Sequence, residues 1–189
     1  MTLSPLLVRV ATAWLMFVAI SPAAELMPWS DNRLPVSKGL ILWLDASVQS
    51  TAASHRGDEP IASGNRPELW LDASGHNRHL RSIPSDSRPL LRINGPRAAF
   101  RFAGSKACFS LDGLGVKLNE LTVFIVAAPV RNEGLFRGIF CIRADNESDF
   151  LSGLNIDLGP QSSTVFNSIN VEGAGMHGVQ NLRSRQSPF

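Results

Sequence analysis

Over most of the chain, apolar and polar positions alternate with a period near two, and no stretch carries a helical period. Residues 39–44 (GLILWL) form an apolar run that ends at Asp45, which predicts a buried strand. Residues 46–67 are rich in Ser, Ala, Gly, Pro and charge and predict a long loop. The hexapeptide LWLDAS at 42–47 recurs at 69–74 and then runs into the polar turn Gly75-His76-Asn77-Arg78-His79. With no third copy and no matching flanks, similar local geometry or coincidence explains the repeat better than a repeat array. Further strands are predicted at 98–102, with Phe100 and Phe102 on one face, and at 107–111, with Phe109 and Leu111 on one face. The β-branched run 121–128 (LTVFIVAA) predicts a central strand. Strands at 138–143 and 151–158 follow, split by an acidic turn at 145–149, and a last one is expected at 165–171. Many short strands separated by Gly and Pro turns argue for an all-β sandwich.

The N-terminus follows a different pattern. Arg9 precedes an unbroken apolar run at 10–20 (VATAWLMFVAI), and Ser21-Pro22-Ala23-Ala24 supplies the small residues a signal peptidase needs. The run is too short for a membrane span, which takes about 20 residues. Residues 1–23 are therefore expected to be a cleaved secretory signal, leaving no stable membrane span. Residues 24–38, with two prolines and no periodicity, are expected to be a leader or linker ahead of a domain at 39–189.

Composition changes this picture little. Charged residues make up 18% and hydrophobic residues 44%, an ordinary globular balance. Without Arg9, seventeen Lys and Arg stand against 16 Asp and Glu, a net charge of +1. Such a surface lacks the basic footprint of a nucleic-acid binder.

The order of these segments resembles the concanavalin A-like, or laminin G-like, lectin and glucanase domains. The resemblance rests on the apolar run into Leu42-Trp43-Leu44-Asp45-Ala46-Ser47, then Trp70-x-Asp72-x-Ser74-Gly75-x-Asn77. It continues through Ala99-Phe100-Arg101-Phe102-Ala103-Gly104, 121–126 (LTVFIV) and Ser152-Gly153-Leu154-Asn155-Ile156, covering roughly residues 39–180. It implies an antiparallel jelly-roll β-sandwich. It also implies that the sandwich is incomplete here, because the family pattern continues with further strands where this sequence ends at Phe189.

Glycosidases of that kind carry carboxylates at alternate positions of one strand. No such set is present, so no catalytic residue is assigned. Asp145, Glu147 and Asp149 are expected to form a solvated turn, with a Ca²⁺ site as the alternative. His76 and His79 lie close to Asp72, but two histidines in a polar loop are more often solvated than metal-bound. Gly173-x-Gly175-x-x-Gly178 lacks the following helix of a dinucleotide site and reads as a flexible turn. In an oxidising compartment Cys108 and Cys141 can form a disulfide; two free thiols are the alternative. Trp43 and Trp70 sit in apolar runs and are expected in the core.

The sequence thus leads to a secreted, non-catalytic recognition or adhesion module with no cofactor, binding a glycan or an extracellular protein. The alternatives are a glycoside hydrolase or polysaccharide lyase on the same fold, or a non-functional fragment of a larger secreted protein.

Overall fold

A computed structural model describes residues 25–34, 37–83, 85–104, 106–166, 168–174 and 176–181. Residues 1–23, where a secretory signal is expected, Gly175 and residues 182–189 lie outside the described residues. The chain divides into two compact units between Gly115 and Val116, where the sequence predicts one domain. Both consist mostly of short strands in small antiparallel sheets with brief helical segments. The fold class is therefore broadly all-β.

In the first unit, the run at 39–44 forms no strand; only Leu44 pairs, in an isolated antiparallel bridge with Asp72. The expected loop at 46–67 instead opens with helix. Asp45 caps a 3-10 turn at Ala46–Val48 by accepting the Ser47 N–H, and α1 (Gln49–His55) follows. At seven residues α1 is too short for a 3.6-residue period to stand out, yet it buries Ala52 and Ala53. Ala52 joins Trp29, Leu71 and Ala73 in the core of the unit, with Met27, Trp43, Val48 and Leu69 packed against it. Within the segment expected to be a leader or linker, Trp29 is a core residue, and the Met27 N–H donates to the Ala73 carbonyl at 3.2 Å. The proline-rich composition hid this, because a single buried indole leaves no periodic trace.

β1 (Leu69–Trp70), β2 (Leu80–Ser82) and β5 (Phe109–Ser110) form a three-stranded antiparallel sheet. β3 (Leu90–Asn94) and β4 (Arg97–Arg101) form a hairpin around Gly95-Pro96. Gly95 has φ +57°, which with proline next fits the first central position of a II′ turn. Phe100 and Phe102 both meet Phe109, with ring centroids 5.0 and 6.1 Å apart. They share a face, as their spacing predicts. Trp70 completes this aromatic group against Phe100 and Phe109 at 4.7 and 5.5 Å. Both Trp43 and Trp70 therefore pack against apolar neighbours.

In the second unit, β7 (Gly138–Ile142), β8 (Leu154–Asp157), β10 (Asn170–Gly173) and β11 (Met176–Asn181) form a four-stranded antiparallel sheet in the order β11-β10-β8-β7. β6 (Asn132–Glu133) and β9 (Ser162–Ser163) form a short ladder. The expected strand at 151–158 starts three residues late, because α2 (Asp149–Ser152) occupies its first positions. Gly173 is not a free turn residue: it pairs with Met176 at a hairpin end and with Leu154 across the sheet. The central strand expected at 121–128 is absent. Its residues belong to no strand, and Phe124 and Val126 are 93% and 100% exposed. The β-branched composition favours extended backbone, but a strand exists only where a neighbour pairs with it, and none does among the described residues of this unit.

Candidate functional site

The two LWLDAS copies build the same local turn and then diverge. In each, the Asp carboxylate accepts the N–H and hydroxyl of the Ser two residues on: Asp45 from Ser47 at 2.7 and 2.7 Å, Asp72 from Ser74 at 2.9 and 2.7 Å. This is the Asx-turn habit of Asp-x-Ser. Asp45 stops there, as a helix cap. Asp72 is fully buried and accepts two more backbone donors, Trp43 N–H at 3.0 Å and Arg78 N–H at 3.0 Å. A buried carboxylate needs this many partners to offset its lost hydration. Around it the loop 72–79 grips the segment 40–44. Arg78 donates to the Ile41 carbonyl at 2.7 Å, and His76 donates through Nε2 to the Leu40 carbonyl at 3.0 Å. Gln49, also fully buried, clasps Leu71 by both its N–H and its carbonyl, at 2.8 and 3.1 Å.

His76 and His79 therefore spend ring nitrogens on backbone groups. His79 accepts the Asp72 N–H through Nδ1 at 3.0 Å. Burial, helped by the nearby Arg56 charge and opposed by Asp72, lowers the His79 pKa.

The second unit carries a buried polar cluster that the sequence reading missed. Asp157 is fully buried. Its carboxylate accepts Asn155 Nδ2 at 2.6 Å, the Gly159 N–H at 2.6 Å and Asn170 Nδ2 at 3.1 Å. Buried Asn132 accepts the Gly134 N–H at 2.8 Å and donates to the Leu158 carbonyl. The available signal was Asn155 and Asp157 two apart in an otherwise apolar strand, which places both on one face.

Asp157 pairs with Asn170, so Glu172 lies diagonally across the same face, about 7 Å away between Cβ atoms. Burial, then Asp157 and Asp149, raise the Glu172 pKa. Two carboxyl groups on one face of a sheet invite comparison with a glycosidase pair. The environment argues otherwise. Asp157 has no solvent contact, and its oxygens are taken by two amides and a backbone N–H, so it holds the sheet and cannot activate a water.

The acidic segment 145–149 runs through a turn into α2. Asp145 and Glu147 are exposed, and Asp149 accepts the Cys141 thiol at 3.4 Å. Among the described residues, no group of three or more His, Cys, Asp or Glu side chains is placed to hold a metal ion. Both cysteines are exposed free thiols: Cys108 in the first unit donates to the Ile83 carbonyl at 2.8 Å, and Cys141 lies in the second. Burial, followed by Asp149, pushes the Cys141 thiol up to about 11.

Among the described residues, the most exposed large apolar side chains lie between Val116 and Phe136. Beyond Phe124 and Val126, they include Val130 at 86% and Leu135 at 76% exposure. Leu135 and Phe136 are both left-handed, with φ +57° and +52°, directly after left-handed Gly134. Bulky residues rarely adopt this conformation, at a cost of about 1–3 kcal/mol each. They are held there by N–H donation to the Pro160 and Gly159 carbonyls, both at 3.1 Å. Beside them a polar groove of about 640 Å³ is lined by Arg131, Asn132, Glu133, Ser162, Ser163 and Thr164. Among the described residues, no helix is long and apolar enough to cross a membrane.

Comparison with protein-family models, curated proteins and solved structures finds no match for this chain.

Proposed function

We propose that this chain is a secreted, non-catalytic recognition module of the jelly-roll kind, and that its ligand is an extracellular protein. The observation that carries the reading is the uncovered segment 121–130. Its alternate side chains Phe124 and Val126 are bare, and among the described residues no strand of its unit pairs with its backbone. A β-branched, apolar segment in that state is suited to strand addition, in which main-chain hydrogen bonds give affinity and alternate side chains give specificity. The strained pair Leu135 and Phe136 adds exposed apolar area beside it in sequence. A protein partner fits this chemistry better than a sugar, since Val126, Val130 and Leu135 are aliphatic and give a sugar ring neither stacking nor hydrogen bonds, while the phenyl of Phe124 suits either ligand.

A second reading, glycan binding, draws on the polar groove at Arg131, Glu133 and Ser162–Thr164, whose planar and hydroxyl groups suit polyol hydrogen bonding. Arrays of extracellular proteins and of glycans, probed with the folded chain, separate the two. Binding to a protein that is lost in Phe124→Asp and Val126→Asp supports the first reading. Binding only to glycans, unchanged in those variants, supports the second. Absence of binding to either array contradicts a recognition role.

A further inference from the structure

We propose that His79 is a pH-sensitive latch: protonation of its Nδ1 in mildly acidic surroundings unfastens the loop 72–79 from the segment 40–44. The geometry fixes the tautomer. A backbone N–H can only donate, so the Asp72 N–H at 3.0 Å requires a bare Nδ1 and places the ring proton on Nε2. A proton added to Nδ1 turns this hydrogen bond into two donors facing each other. The ring must leave, and the N–H of a fully buried residue is stranded.

The consequence reaches beyond one bond because Asp72 is the hub of the loop. Its carboxylate holds Trp43, Ser74 and Arg78, so a shift of its backbone loosens the grip on the segment 40–44. The charged groups acting on His79 are Arg56 at the end of α1, which disfavours the imidazolium, and Asp72, which favours it. Arg56 is itself drawn toward Asp58 at 3.3 Å. Burial and Arg56 outweigh Asp72, so the folded His79 takes its proton at lower pH than the unfolded chain does. The contribution to stability is therefore complete above an ordinary histidine pKa of about 6.5. It is lost as pH falls from there through the lower folded value. His76 is placed differently: its Nε2 faces an acceptor, the Leu40 carbonyl, rather than an N–H.

Thermal unfolding of the full chain from about pH 8 down to about pH 5 tests this, with His79→Asn as the decisive variant. Asn can offer its side-chain oxygen where Nδ1 was, without titrating. The wild type is expected to lose several degrees of Tm across the histidine range, and His79→Asn to lose little or none. An undiminished loss in His79→Asn, or no loss in the wild type, overturns the proposal. Nitrogen NMR of the wild-type ring gives a second reading that needs no variant. It should show a bare Nδ1 at about pH 8 and a midpoint below about 6.5. A protonated Nδ1 at that pH, or a higher midpoint, also overturns it.

Discussion

The backbone N–H of Trp43 donates to the carboxylate of Asp72, 29 residues further on, at 3.0 Å. This bond joins the two copies of one hexapeptide, and with the bridge between Leu44 and Asp72 it replaces the strand expected at 39–44. Replacing Asp72 with Ala leaves the N–H groups of Trp43, Ser74 and Arg78 without their acceptor. A stranded buried donor costs about 1–3 kcal/mol and a part-buried one less, so with Ser74 buried and Trp43 and Arg78 part-buried the first unit should lose about 2–4 kcal/mol, read as a fall in the urea midpoint. Asp45→Ala removes only an exposed cap and should cost about 1 kcal/mol. Equal effects of the two substitutions would contradict the difference drawn between the copies.

Gly153 is a steric requirement of the second sheet. A Cβ there would collide with the Ile142 carbonyl and come within 2.8 Å of Arg143 Cα. Both obstacles are backbone, so neither can swing aside. Gly153→Ala should therefore destabilise the second unit by about 1–3 kcal/mol or more, measured by chemical denaturation. Gly138→Ala, whose Cβ meets nothing within 4 Å, serves as the control and should change stability far less.

The thiols give a chemical test. With its pKa raised to about 11 by burial and Asp149, Cys141 holds very little thiolate at neutral pH and should alkylate at least about tenfold more slowly than an ordinary thiol. Asp149→Asn removes part of the cause and should speed the reaction. Mass spectrometry of unreduced protein should find two alkylatable thiols, since Cys108 and Cys141 are both free. A bridge between them would join the two units covalently and would contradict the free-thiol state.

Legibility in the sequence followed the range of the interactions. The alternation of Phe100 and Phe102, the strand at 138–142 and the packing of Trp43 and Trp70 are written in local pattern, and local pattern found them. The repeated Asp-Ala-Ser does share one local geometry, an Asx turn, in both copies. Trp29, α1 and the Asp157 cluster depend on partners distant in sequence or on elements too short to show a period. The run 121–128 failed in the opposite way. Its composition favours a strand, but pairing is a property of two segments, and one sequence window reports only one of them. Of the candidate chemistry, the acidic segment 145–149 could be located but not resolved, because clustering in sequence does not converge side chains in space.

The recognition reading depends most directly on the uncovered backbone of 121–130, and hydrogen–deuterium exchange of the isolated chain measures it. The amides of 123–128 should exchange at close to the rate of an unstructured peptide, while those of β8 and β10, paired on both sides, stay protected. Protection of 123–128 comparable to that of β8 would mean that the segment is already paired, and would contradict its role as an open strand awaiting a partner.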